Sequence, residues 1–293
     1  MINIKNLYVF GTIVNLEFAH NAEAEQEILT LLYKLDDLCS IYKDTSDVTH
    51  INESLDYVPV DAQVYNIIKK SLTYSNITDG YGDITIKPLI DAIHNKKKTK
   101  DYLTLVNYKN IMLKEPNLVK LGVKGMSLDL GSMVKGYATD KIVDILNKYN
   151  IDDAIIDLGG NIFVKGNFKG EPWKVGIQDP FKKTGEIMGY LNLSNKSIVT
   201  SGTNERGNHI INPKDGRPAT SIKSITIIAD SSFDAEGLST GFFVQGISSL
   251  NTINNLNNID AIIIDKHHHI YLSNNLKNKL IITNSKFHIK ECK

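Results

Sequence analysis

Four short segments of this chain carry residue types that can do chemistry together. In LDLGSMVKGYATDKI, residues 128–142, Gly131 stands ahead of a helical pattern. A helix start offers free backbone N–H groups and the positive end of a dipole to a phosphate, and Lys135 adds a charge there. The same residues also suit plain packing, with Gly131 and Gly136 permitting close contact and Lys135 solvated; the pattern is neither a Walker loop nor a Rossmann fingerprint. In AIIDLGGNIFVKG, Gly159 and Gly160 interrupt an apolar strand, so a flat ring can lie against bare backbone or a β-bulge can form. Asp157 and Asn161 flank the pair and can hydrogen-bond a ring edge. In AEGLSTGFFVQG, Glu236 and Thr240 lie one helical turn apart and share a face. A carboxylate with a hydroxyl suits a hard cation such as Mg²⁺, which takes oxygen ligands and keeps positions open for substrate phosphates. Asp234 precedes them and can reach the same region. Alternatively, Asp234 caps the helix, Glu236 favours its dipole and Thr240 packs.

The fourth segment, SGTNERGNHIINPKDGRPA, is rich in loop residues and holds Ser201, Gly202, Glu205, Arg206 and His209. Histidine titrates near neutrality, so His209 is a candidate acid or base or else a surface residue, and Asn212 with Pro213 and Asp215 with Gly216 mark turns. The run His267, His268 and His269 reads differently. Neighbouring residues on a strand point to opposite faces, which serves a shared metal badly and fits a solvated strand end.

The elements that must position these groups follow from periodicity. Residues 6–18 alternate apolar and polar side chains and predict an opening strand, and residues 23–37 place Ile28, Leu31, Leu32 and Leu35 on one helical face. A second helix is predicted over 61–75 with Asp61 as its cap. Two short strands meet at residues 115–117, and the glycine turn at 131 feeds a long amphipathic helix. Successive strands follow through residue 202, then a strand over 221–230, a helix beginning at 235, and a closing hairpin from AIIIDKHHHIYLS with LKNKLIITN. Strands lie next to each other and many connections are short, which predicts a mixed α+β fold rather than a doubly wound one.

Composition narrows the partners. Thirty-three basic residues balance thirty-three acidic ones, so no broad positive field exists to hold nucleic acid or an anionic membrane. At 42% apolar residues the chain can bury a sizeable core. Its two cysteines, Cys39 and Cys292, support no disulfide framework. No run approaches the roughly 18 apolar residues of a membrane span, and the first twenty residues have no signal-peptide pattern. The expectation is a cytoplasmic protein, or an extracytoplasmic one if a leader has been removed.

Taken in order, GTIVNLEF, LDDLCSIYKDTSDVTHIN, DGYGDITIKPLIDAI, LDLGSMVKGYATD, AIIDLGGNI, WKVGIQDP, TSGTNER, HIINPKDGRP and DAEGLSTGFFVQG resemble the segments of ApbE-type FAD:protein FMN transferases along nearly the whole chain. The resemblance implies one ApbE-like (T-fold-like) domain over residues 1–293, with two related subdomains of coiled antiparallel sheet and helices holding FAD in the cleft between them. It implies Mg²⁺ at the pyrophosphate, held by the Ser132 carbonyl, Glu236 and Thr240, with Asp234 close by. It makes His209 the candidate general base and Lys135 a support for developing charge, while Tyr42, Asp83, Lys135, Gly159 and Gly160 lie on motifs that line the flavin site. The implied reaction moves FMN from FAD to a Thr or Ser hydroxyl of an acceptor flavoprotein subunit and releases AMP. FAD hydrolysis to FMN and AMP, or FAD binding without catalysis, are the alternatives. Three positions depart from the family pattern: Glu236 where aspartate is usual, Asn212 where aspartate is common, and Gly82 where an aromatic precedes Asp83.

Overall fold

The computed structural model describes residues 2–203, 207 and 209–291. Glu205, Arg206 and Cys292 therefore lie outside the described residues. The chain opens as a hairpin of β1 (Ile2–Val9) and β2 (Thr12–Phe18), not as one strand. Phe10 and Gly11 both adopt positive φ, 55° and 70°, the sign pattern of the two-residue turn whose twist matches paired strands. Leu7, Tyr8, Val9 and Phe10 run unbroken into that turn and only Gly11 marks it, which is why the pattern concealed it. Helix α1 (Ala22–Cys39) follows, its first turn capped by the Asn21 side chain, with Ile28, Leu32 and Leu35 buried. Next come α2 (Asp47–Glu53), β3 (Val58–Pro59), α3 (Ala62–Ile77) and α4 (Lys87–His94). Asp61 caps α3 through the Gln63 N–H at 2.8 Å, as predicted.

The middle of the chain supplies β4 (Ile111–Lys114), β5 (Leu118–Leu121), α5 (Gly131–Lys148), β6 (Ala154–Leu158) and β7 (Asn161–Lys165). Then come β8 (Trp173–Gln178), β9 (Ile187–Leu193), β10 (Lys196–Gly202) and β11 (Ser224–Ala229). The chain closes with α6 (Ser232–Gln245), α7 (Ser249–Ile253), β12 (Ile259–Ile264), β13 (His269–Leu272), β14 (Ile281–Ile282) and β15 (His288–Ile289). This is the expected mixed α+β architecture. Among the described residues, no helix is long and apolar enough to cross a membrane.

A nine-stranded sheet in the order β1-β2-β6-β7-β10-β11-β12-β13-β15 runs through the molecule. Its neighbours are antiparallel except for β13 with β15. Helices cover one face, where Ile225, Ile227, Ala261 and Ile263 pack with Leu32, Ile142 and Phe242. On the other face, Ile198, Ile228, Ile262 and Ile264 pack with Val175, Met188 and Leu191 of a small β14-β9-β8 sheet. A strand buried on both sides needs an unbroken apolar sequence, and the run Ala261, Ile262, Ile263, Ile264 supplies it. The expected closing hairpin is different in detail: β12 pairs with β13 inside AIIIDKHHHIYLS, whereas β14 leaves to pair with β9.

The β12 to β13 turn is organised by Asp265. Its Oδ1 accepts the N–H groups of His267 (2.7 Å) and His269 (3.0 Å), and its Oδ2 lies 2.8 Å from His269 Nδ1. His268 instead stacks on Phe181 with ring centroids 4.0 Å apart. Burial raises the Asp265 carboxyl, but His269 and the two N–H donors outweigh it and hold the group below the usual carboxylate range.

Helix α6 lies against the sheet and is gripped by α3 and α5. The tightest backbone approach is at Gly136 of α5, where a Cβ would stand 2.7 Å from the Ser232 carbonyl oxygen, 2.8 Å from Phe233 Cα and 2.9 Å from Glu236 Cβ. Gly237 of α6 is pressed against the Tyr74 ring, where a Cβ would come within 2.1 Å of Cδ2.

Two expectations follow from this packing. Alanine is better than glycine inside a helix by about 1 kcal/mol, but overpacking against fixed backbone costs roughly 1–3 kcal/mol. Gly136→Ala should therefore lower stability, read as a fall in the urea midpoint; an unchanged or raised midpoint contradicts the close packing. For Asp265, a depressed folded pKa means stability that is present above about pH 4 and lost as pH falls through the folded value. The stability gap between the parent and Asp265→Asn should close on acidification in pH-dependent unfolding, and a gap that widens contradicts the assignment.

Candidate active site

Helix α6 is held at a fixed height and rotation by polar contacts along its length. Ser231 caps it by accepting from Asp234 N at 3.1 Å, and the Ser231 hydroxyl donates to Asp140 Oδ2 at 2.6 Å. Asp140 on α5 also accepts the N–H groups of Ser232 and Phe233 at 2.6 and 3.2 Å, placing a carboxylate at the N-terminus of α6. Burial pushes the Asp140 carboxyl above its ordinary range, and these donors only partly offset that. Further along, Ser201 at the end of β10 donates to Ser239 at 3.0 Å.

Glu236 projects from this helix toward α5 and β7. Its side chain is only 7% exposed; Lys135, 18% exposed, donates to Oε1 at 2.7 Å. Asn161 Nδ2 donates to Oε2 at 2.6 Å. The Asn161 Oδ1 accepts from Thr139 at 3.1 Å and from the Ser232 hydroxyl. Two hydroxyls on one atom of the amide and a carboxylate on the other leave a single sensible orientation for it. The start of α5 and the first turns of α6 are thus joined at one corner.

The donor set at this corner fits a hard cation. Glu236 and Thr240 lie four residues apart on α6, and Ser132 is in the first turn of α5, so the residues that would hold such an ion offer a carboxylate, a hydroxyl and a backbone carbonyl, all oxygens. Each carboxylate oxygen has a second lone pair beyond the hydrogen bond it now accepts. A cation already sits there in the form of the Lys135 ammonium.

Several predicted residues are placed elsewhere. Asp234 is two residues from Glu236, about 200° around the helix, and pairs with Lys70 and the Tyr74 hydroxyl of α3, each at 2.8 Å. It is an anchor of α6 on the far side and does not join the corner. Asn161 is 1% exposed with its amide engaged, so it steadies Glu236 where a contact to a ring edge was expected. Gly131 opens α5 itself, and its N–H is taken by Asp129 Oδ1 at 2.8 Å. A carboxylate thus occupies the helix start that the sequence suggested as a phosphate seat.

Gly159 and Gly160 do not interrupt one strand. They are the two turn residues between β6 and β7, with φ of 64° and 89°, and Gly160 N donates to Asp157 Oδ1 at 2.8 Å. A Cβ on Gly159 would meet the Thr12 side chain at 2.2 Å, so this turn rests on the first hairpin, while Gly160 faces open space. Asp83 is a tether: its carboxylate accepts from Thr85 N and Oγ1 and from Tyr108 N at 2.7 to 2.9 Å. Burial raises its pKa against those donors. Its neighbour Gly82 lies against Gly241 of α6. Tyr42 is 89% exposed. His209 is exposed on the loop after β10, with Nδ1 3.1 Å from the Gly207 carbonyl oxygen. That loop continues into a tight turn in which Asn212 N donates to Arg217 O at 2.8 Å, and Lys214 pairs with Asp79 at 2.6 Å over the Tyr81 ring.

Sequence reasoning missed three positioning residues. Asn52 grips both backbone groups of Leu128, at 2.6 and 3.0 Å, just ahead of α5. Asp129 caps Gly131, and Asp140 caps α6. The last had a signal: Lys135 with Thr139 and Gly136 with Asp140 are two pairs at helical spacing on one face, and all four touch α6 or Asn161.

The profile of the ApbE family matches residues 10–263 of the chain. The FAD:protein FMN transferase of Klebsiella pneumoniae (strain 342) is 27% identical over 297 residues, covering 94% of this chain and 92% of that protein. The FAD:protein FMN transferase of Escherichia coli (strain K12) is 29% identical over 268 residues, covering 80% and 75%. Among solved structures, the ApbE protein of Thermotoga maritima superposes with a TM-score of 0.83 at 25% identity, covering 94% of this chain and 98% of that one. The flavin transferase ApbE of Vibrio cholerae shares the fold, with a TM-score of 0.84 at 24% identity over 95% and 98% of the two chains. With the family profile spanning most of its length, this chain belongs to the ApbE family.

Proposed function

We propose that this protein transfers the FMN half of FAD to a Thr or Ser hydroxyl of an acceptor flavoprotein subunit and releases AMP, the whole chain acting as one flavin-transferase domain. The observation that carries the reading is the buried junction of Lys135 on α5 with Glu236 on α6, 101 residues apart in sequence. It joins a carboxylate and an ammonium on the two helices that also carry Ser132 and Thr240. The names of the relatives and the family membership support the same activity.

Phosphoryl transfer depends on holding the phosphates, offsetting their charge and accepting one proton. Mg²⁺ bound by Glu236, Thr240 and the Ser132 carbonyl would supply the charge that offsets the pyrophosphate and the departing AMP. Lys135 adds a mobile positive charge beside it. His209 is the proton acceptor. Because the Gly207 carbonyl can only accept, the contact at 3.1 Å suits the tautomer with its proton on Nδ1, in which Nε2 carries the lone pair. The acceptor hydroxyl gives its proton to Nε2 as its oxygen bonds to the FMN phosphorus, and the phosphorus to AMP oxygen bond breaks. Ser201, hydrogen-bonded to Ser239 beside Thr240, ties the strand from which the His209 loop departs to the cation corner.

The test is incubation of the protein with FAD, Mg²⁺ and a flavoprotein subunit bearing an acceptor threonine, followed by in-gel flavin fluorescence and AMP measurement. Fluorescent acceptor together with AMP is the expected result. AMP with free FMN would make the protein a hydrolase, and retained FAD without AMP a binder. His209→Ala should lower labelling by about 100-fold or more while FAD affinity stays within a few-fold; labelling at the parent rate removes His209 from the role of base.

A further inference from the structure

We propose that Lys135 is the built-in counter-ion of Glu236, and that a divalent cation exchanges with it, freeing the ammonium for the phosphates of the incoming substrate. The inference rests on the reading of Glu236 as a metal ligand and adds an order of events to it. A carboxylate with a 7% exposed side chain is costly without a nearby positive charge. Among the described residues, Lys135 is the only basic side chain within ion-pair distance of Glu236. The Lys135 ammonium is therefore the positive charge that offsets this carboxylate.

The two partners of the carboxylate differ in their freedom to move. Asn161 is 1% exposed and is itself held by Thr139 and Ser232, so Oε2 is fixed. Lys135 reaches Oε1 with a flexible four-carbon stem whose base lies beside Gly136, at the closest contact of α5 with α6. A divalent ion arriving at Oε1 faces a unit positive charge about 3 Å away, and like charges at that range repel strongly in a poorly solvated site. The stem swings and Asn161 does not. Glutamate also matters here, because an aspartate at position 236 would draw the carboxylate back by one methylene, away from a Lys135 contact of 2.7 Å and an Asn161 contact of 2.6 Å. The ammonium released from Glu236 stays at the second turn of α5, the end that borders the corner.

The exchange is tested without FAD and without turnover. Mg²⁺ affinity is measured by titration calorimetry for the parent, Lys135→Met and Glu236→Gln, and acetylation of Lys135 in the parent is followed by mass spectrometry with and without saturating Mg²⁺. The expected results are loss of Mg²⁺ binding in Glu236→Gln, binding about tenfold tighter in Lys135→Met once the competing charge is gone, and severalfold faster acetylation of Lys135 when Mg²⁺ is bound. Parent-like binding by Glu236→Gln removes the ligand reading and the exchange with it. Loss of binding in Glu236→Gln with equal or weaker binding in Lys135→Met removes the exchange alone. Should Lys135→Met fail to fold, the labelling decides: an acetylation rate unaffected or slowed by Mg²⁺ overturns the proposal.

Discussion

The contact on which the rest of the structure depends is that between α5 and α6 at Gly136, where two helix backbones meet with no side chain between them. That closeness lets Lys135 reach Glu236, lets Asp140 cap the neighbouring helix, and brings Thr139 to Asn161. A larger residue at position 136 would separate all of these partners at once. Buried ion pairs contribute little net stability, since desolvation offsets much of their attraction. The Lys135 to Glu236 pair is better understood as a constraint on geometry than as a source of stability.

The sheet sets where that contact can occur. Strands β10 to β13 are buried on both faces, by helices on one side and by the β14-β9-β8 sheet on the other. Helix α6 follows β11 directly and is pressed between the sheet and two helices, so ten of its residues are buried, polar Ser232, Glu236 and Ser239 among them. Each of these has a partner: Asn161, Lys135 and Ser201. Unpaired polar groups at such depth are costly. The polar residues of α6 are therefore as strictly specified as its phenylalanines.

Much of this was legible in the sequence, and what was not has a physical reason. Helical periodicity located α1, α3 and α5 and the Asp61 cap, because each buries one stripe and a side-chain cap is a local signal. The turns at Phe10 and at Gly159 with Gly160 escaped notice because alternation alone does not reveal where a strand reverses, and Phe10 is an unusual residue for positive φ. Motif order puts Ser132 and Lys135 on one helix and Glu236 and Thr240 on another, and α5 and α6 are in direct contact. Asp234 stands apart, since residues two apart on a helix look adjacent in sequence and face opposite ways in space. Asn52 and Asp129 act on backbone groups of a segment whose path only the tertiary fold determines. Asn161 beside a glycine pair suggests a ligand contact; its actual partners come from two helices that the sequence cannot orient.

The long reach of these bonds has a bearing on how the molecule comes into being. Lys135 and Glu236 are 101 residues apart, Tyr74 and Asp234 160, and Gln245 and Thr78 167. Contacts of such sequence separation give nothing back until a large loop has been closed. A ribosome releasing this chain from its N-terminus can complete the first hairpin and α1 early, whereas the corner between α5 and α6 must await the emergence of residues beyond 245. A nascent chain is thus incapable of assembling that corner prematurely: Ser132 emerges early on α5, and the oxygens of Glu236 and Thr240 join it only with the last third of the polypeptide.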